Sequence, residues 1–302
     1  MRSWIPTIAL ALIVIAVIPY TVLKLLWLGD STIGTNQPSG AAQVQSTRMV
    51  VGNVITLLLE LLAVGLAVAM TRPWGLCVPA WIVLCLAGGA TGLLAPILLG
   101  LPLGSLIQFL VQADVRTSGM DGMAPWVFAV VYGGFGLLAI AIAVLGRHYV
   151  LTRWGHVLAA APRRPAAGTI AVGAAGMLPF AAAMLWWGVA GPGDAGPQGM
   201  DAIAQRTTLV VTGLLTVLGW LAPLVGASIR RPHVVWLALW VGCATGALQG
   251  PAQVLLAEGG VTTPSVLVLA LLATPASLLY GTLVLRQRIG EVAPRAAALV
   301  EV

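Results

Sequence analysis

The sequence predicts an all-α membrane bundle of eight transmembrane helices, built as two parallel four-helix repeats with both termini cytoplasmic. Three observations carry that expectation. The 302 residues are 59% hydrophobic and only 8% charged, with a mean hydropathy of +1.00, whereas a soluble domain needs far more polar surface. Eight apolar stretches are long enough to cross a hydrocarbon core that takes roughly 20 helical residues. Landmark residues recur in the same order in the two halves of the chain.

The first stretch, Trp4 to Leu28, has the apolar run of a signal peptide, but no A-x-A site closes it and apolar residues continue past Pro19, so it reads as a retained helix. The others run from Met49 to Met70, Trp74 to Leu99, Ala124 to Leu145, Gly168 to Val189, Thr207 to Ser228, Val234 to Leu256 and Pro264 to Leu285. Many of the 36 glycines and 19 prolines fall inside these runs, where neighbouring helices re-satisfy the backbone, and they read as packing and kink positions.

Charge gives an independent test, because Lys and Arg collect in short cytoplasmic loops. With the N-terminus inside, the inner side holds Arg2, Arg72, Arg147, Arg153, Arg163, Arg164, Arg230, Arg231, Arg286, Arg288 and Arg295, eleven of the fifteen basic residues. Outside lie Arg48, Arg116 and Arg206, together with Asp30, Asp114, Asp121, Asp194, Asp201 and Glu258. This alternation accounts for the net charge of +6 without nucleic acid, since no stretch has the dense basic cluster of a phosphate-binding face.

The duplication is read from rarer residues. Pro19-Tyr20 and Trp27 recur as Pro179-Phe180 and Trp187, Val50-Val51 and Thr56 as Val210-Val211 and Thr216, and Arg72-Pro73 and Trp81 as Arg231-Pro232 and Trp240. In the third helix of each half, Gly88 to Leu94 answers Gly242 to Leu248, and Pro96 answers Pro251. Four helices per half is an even number, so both halves start on the same side and are related by an axis along the membrane normal. The domain reading is a first repeat over 1–150, a basic cytoplasmic linker over 151–167, a second repeat over 168–288 and a cytoplasmic tail over 289–302.

Between helices lipid supplies no hydrophobic drive, so close approach depends on small residues. Gly88 and Gly92 form one bare ridge and Gly242, Gly246 and Gly250 another. The expectation is that the third and seventh helices meet on these ridges, with packing inside each half as the equally weighted alternative. The long outer connection over 100–123 contains Leu106, Phe109, Leu110 and Ala113 at helical spacing, which predicts a short helix at the membrane surface, with a re-entrant cap over an outward cavity as the alternative.

Ionisable residues inside a membrane span are costly and therefore the first functional candidates. There are two, Lys24 and Glu60. Asn53, Thr56 and Glu60 share a helix face, while their counterparts Gly213, Thr216 and Trp220, and Met184 opposite Lys24, are mostly apolar. Lys24, Asn53, Thr56 and Glu60 thus form the candidate polar site. It reads either as a proton-linked site kept in one half or as a buried hydrogen-bonded cluster that fixes helix register. Lys24 stands roughly 6 Å inside its helix end, so pairing with Asp30 or reaching out to solvent is expected ahead of a bridge to Glu60.

No cofactor is implied. The histidines lie in or beside loops, no HExxH, Walker loop or Gly-x-Ser-x-Gly is present, and the three cysteines sit in apolar stretches as small buried hydrophobes. Trp4, Trp27, Trp74, Trp126, Trp154 and Trp236 read as interfacial anchors. The Arg-over-Lys, Ala/Gly/Val-rich usage resembles membrane proteins of high-GC bacteria, which implies a cytoplasmic-membrane location and no activity. The leading functional expectation is a transporter, permease or membrane-subunit protein. A scaffold or sensor that binds a protein, a lipid or a second copy is the alternative, and an enzyme acting on a lipid-soluble substrate is the third. The lipid bilayer is the one partner the composition requires, and nothing names a substrate.

Overall fold

In the computed structural model, which describes residues 4–115, 122–257 and 260–298, the described residues form helices and short connections. The helices are α1 (Trp4–Leu28), α2 (Pro38–Val44), α3 (Thr47–Thr71), α4 (Ala80–Gln112), α5 (Pro125–Leu158), α6 (Ala167–Ala190), α7 (Ile203–Val225), α8 (Pro232–Leu256) and α9 (Pro264–Ala298). All but α2 are long and apolar enough to span a membrane, which makes eight spans among the described residues. Arg2, Arg116, Asp121 and Glu258 lie outside the described residues.

The chain divides into two compact units. The first comprises residues 1–90 and 116–149, and the second residues 91–115 and 150–302. In the first, α1 packs on α3, and α5 approaches α1 where Gly134 lies against the Ala16 carbonyl. The α1–α3 connection is held by the start of α5: the Ala124 N–H donates to the Gly34 carbonyl and the Asn36 N–H to that of Gly122. Gly34 has a φ of 84°, and Gly40 lies with its backbone on Gly122, so neither position has room for a side chain. Ser46 then caps α3, its hydroxyl accepting from the Met49 N–H at 3.3 Å.

The second unit contains an up-down-up-down bundle of α6 to α9, in which α6 and α8 each pack on both α7 and α9. Its helices meet on glycines. A Cβ on Gly219 would stand 2.6 Å from the Gly242 Cα, one on Gly176 2.5 Å from the Leu272 carbonyl, and one on Gly250 2.7 Å from the Ala270 Cα. Those distances are shorter than a carbon contact permits, so the helix backbones touch there. At one end of the bundle Arg206 donates from Nε to the Gly188 carbonyl at 3.1 Å and also binds the Val189 carbonyl, which satisfies the last turn of α6.

Helix α4 departs most from the sequence expectation. It starts at Ala80, because Pro73–Cys77 forms a separate 3-10 turn, and it runs without a break to Gln112. The residues expected to lie as a separate surface helix are its continuation. Gly92, Pro96, Gly100, Gly104 and Gln108 are buried at a strict interval of four while most residues from 97 to 112 between them are exposed. That interval is the helical repeat of one face. Gly92 meets the Ala244 backbone of α8, Gly100 meets Thr208 and Gly104 meets Ala204 of α7. The Gln108 side-chain oxygen accepts the Ala204 N–H at 3.0 Å, a bond buried in the unit.

Gln108→Leu is therefore expected to lower stability by about 1–3 kcal/mol, the cost of leaving a buried donor unmade. Thermal unfolding in detergent should show it, and an unchanged midpoint would mean that the glycine row alone seats this part of α4.

The glycine ridges of the third and seventh spans therefore divide their contacts. Gly92 does meet α8, but Gly242 faces α7, Gly250 faces α9, and Gly246 stands between Thr216 of α7 and Ser277 of α9. Gly88 is half-buried in the part of α4 that belongs to the first unit. Polar side chains also bond between helices: Gln249 Nε2 donates to the Gly92 carbonyl at 2.8 Å and the Thr274 hydroxyl to that of Ala247 at 2.7 Å. The Ser277 hydroxyl is buried without a partner among the described residues. Two of the expected interfacial tryptophans turn inward, since the indoles of Trp27 and Trp236 are buried and donate to the Ile33 and Ala160 carbonyls. Cys77 and Cys85 are exposed, and only Cys243 is buried as expected.

Candidate functional site

The site is built where α1 faces α3 inside the first unit. Lys24 is completely buried and its Nζ donates to Glu60 Oε1 at 2.6 Å. Thr21, one turn earlier on the same face of α1, donates its hydroxyl to Glu60 Oε2 at 2.7 Å, so both carboxylate oxygens are engaged. Tyr20 closes the other side, with the Lys24 ammonium 3.8 Å from its ring centroid. The ring itself is held edge-on against Phe135 of α5, the centroids 5.6 Å apart.

Each contact answers an energetic problem. An unpaired charge at this depth is expensive, and neutralising partners with further hydrogen bonds bring that cost down. The aromatic face adds a favourable electrostatic contact for a cation that has left water.

This geometry corrects the expected Lys24 partner. Asp30 lies in the exposed connection, and Lys24 neither reaches solvent nor bonds Asp30. The reason is a slide between helices. By the helical rise, Lys24 lies roughly 6 Å from the end of α1 and Glu60 roughly 20 Å from the start of α3. Their pairing therefore means that the first turns of α3 extend well past the end of α1, which the 29–46 connection with its own helix α2 allows.

Helices α6 and α7, which the sequence landmarks align with α1 and α3, sit differently. Gly213 of α7 lies against Ala181 and Leu185 of α6, and the sequence landmarks make Ala181 and Gly213 the counterparts of Thr21 and Asn53. In the first half Thr21 instead meets Glu60, seven residues beyond Asn53.

The other two predicted site residues share the α3 face but not the cluster. Thr56 donates back to the Gly52 carbonyl at 2.8 Å, as Thr does in membrane helices. Asn53 is buried, and its amide nitrogen has no partner among the described residues. Beside Glu60 a narrow cleft between α1 and α5 is lined by Ala16, Tyr20, Val131, Gly134, Phe135 and Leu138, among others, with room of about 10 Å³, enough for one water and no organic solute.

No family model, no curated protein and no solved structure matches this chain. The reading of the site therefore rests on its own chemistry. Phe180 and Met184, which the sequence landmarks align with Tyr20 and Lys24, are fully buried in an apolar cluster with Leu209 and Val266. Trp220, which the same landmarks align with Glu60, donates its indole N–H to the Ile170 carbonyl. Tyr20 and Thr21 escaped the sequence reading because neither is charged. Their spacing of four and three residues before Lys24 is the signal that places them on its face.

Proposed function

We propose that this protein is a permease-type or membrane-subunit protein of a bacterial cytoplasmic membrane, with a proton-linked site made by Glu60, Lys24, Thr21 and Tyr20. One observation carries the reading: a buried ion pair between two membrane spans stands beside space for a single water. A carboxylate that exchanges its ammonium partner for a water-borne proton changes the charge of the site with little rearrangement, and a cleft of that size suits a proton better than an organic solute. On this reading α6 to α9 are the scaffold half of a duplicated pair, inserted in the same direction, with both termini cytoplasmic. The matched lengths of α1 and α6, 25 and 24 residues, and of α3 and α7, 25 and 23, support the duplication, whereas α4 at 33 residues exceeds α8 at 25.

Proteoliposomes loaded with a pH-sensitive dye test this. Under an imposed potential the intact protein should acidify or alkalinise the lumen faster than empty vesicles, and Glu60→Gln should remove at least about nine-tenths of that rate per folded protein reconstituted. A rate equal to empty vesicles sinks the proton reading. The small cleft also favours a second reading, a membrane scaffold or subunit that binds a protein, a lipid or another copy of itself, for which co-purification of one stoichiometric partner without flux is the expected result. Reporter fusions at the two ends should report the same side of the membrane.

A further inference from the structure

The end of the second unit that carries the close of α5, α7 and α9 gathers arginines from three separate segments, and contacts between their neighbours bring those segments together. The Trp236 indole donates to the Ala160 carbonyl at 2.9 Å. Gly226 lies 3.4 Å, measured from an added Cβ, from the Pro162 carbonyl and 3.1 Å from Val235. The segment that carries Arg163 and Arg164 therefore runs beside the one that carries Arg230 and Arg231. From α9, Arg288 is buried, donates from Nε to the Val157 carbonyl at 3.0 Å and pairs with Glu291 at 3.2 Å. Glu291 also lies 3.5 Å from Arg163, which ties the end of α9, with Arg286, to the same place.

Six arginines thus fall on these adjoining segments with one described carboxylate, Glu291, which is already shared by Arg163 and Arg288. Arg164, Arg230, Arg231 and Arg286 are exposed and have no acidic partner among the described residues. Buried bonds hold the backbone that carries them, so the positive charge is fixed in place rather than dispersed on mobile tails. It sits at the ends of apolar helices, beside the exposed Ile229, Val234 and Ile289.

We propose that this surface is a binding site for the headgroup of an anionic phospholipid. Charge complementarity selects the anion, because arginine guanidinium groups offer forked donors that match phosphate oxygens. The adjoining apolar side chains select a lipid over a free anion, since acyl chains can lie along them while the phosphate stays at the arginine level. Juxtamembrane basic residues each add a substantial attraction to anionic lipid. The site is independent of the Lys24–Glu60 pair.

Native mass spectrometry of the delipidated full chain, titrated with phosphatidylglycerol, cardiolipin or phosphatidylcholine, decides the matter. An anionic lipid should bind at least about tenfold more tightly than phosphatidylcholine, and Arg164→Gln with Arg231→Gln should weaken it by at least about tenfold at unchanged monodispersity. The charge-conserving pair Arg164→Lys with Arg231→Lys should keep most of the preference, which separates lost charge from lost fold. Arg72→Gln, an exposed arginine of the first unit, should change nothing. Equal binding of phosphatidylcholine, an unaffected double glutamine variant, or an Arg72→Gln loss as large as the double's would each overturn the proposal. Displacement by millimolar inorganic phosphate alone would also overturn it, by making the ligand a free anion.

Discussion

Lys24→Met and Glu60→Leu, made singly, should each destabilise the protein by about 3–5 kcal/mol, the cost of leaving one buried charge without its partner. Together they should restore most of that loss. The reasoning follows from the burial of both groups: the single variants strand a charge among Tyr20, Phe135 and Leu138, whereas the double variant makes the site resemble the apolar cluster around Met184. Chemical or thermal unfolding in a fixed detergent measures the cycle, and a coupling near zero would mean that the pair holds no register. The cycle also separates two roles. If the double variant folds well yet loses proton movement, the pair serves function. If it folds well and the phenotype is unchanged, the pair is a structural clamp, and Glu60→Gln and Glu60→Ala should agree.

Gly242→Leu is expected to abolish folded yield, with a cost above the 1–3 kcal/mol usual for an overpacked core. A Cβ at this position would stand 2.4 Å from both the Gly219 Cα and the Leu215 carbonyl. These are backbone atoms of α7, so no side-chain rotation relieves the clash and the two helices must separate. Even Gly242→Ala should lower the unfolding temperature measurably. The control is Gly65→Ala in α3, where an added Cβ meets nothing within 4 Å and stability should change by no more than about 1 kcal/mol. Size-exclusion profiles of the four proteins, wild type included, would rank them, and equal profiles for Gly242→Leu and Gly65→Ala would refute the close α7–α8 contact.

Much of this architecture is legible without coordinates, because crossing lipid is a demand on single segments. A run of roughly 20 apolar residues is helical in a membrane whatever surrounds it, since its backbone has no other hydrogen-bond partner there. The eight spans follow from that rule, and so does the suspicion attached to Lys24 and Glu60. The same rule fails where hydropathy is uniform. Residues 100–112 look like an outer connection because Pro102 and three polar side chains interrupt the run, yet the row Gly92, Gly100, Gly104 and Gln108 keeps them on one helix by docking it on α7 and α8.

By itself, then, the sequence determined how many segments can cross the bilayer, which few side chains would be expensive inside it, and where bare glycine surfaces lie. Only the tertiary structure decided which partner each received: Glu60 for Lys24, Gly219 for Gly242, Ala204 for Gln108. The difference is physical. Helix formation in lipid is settled by local backbone hydrogen bonding, whereas the depth at which two helices lie against each other depends on a slide along their axes. Hydropathy is indifferent to that slide, but one carboxylate and one ammonium are not.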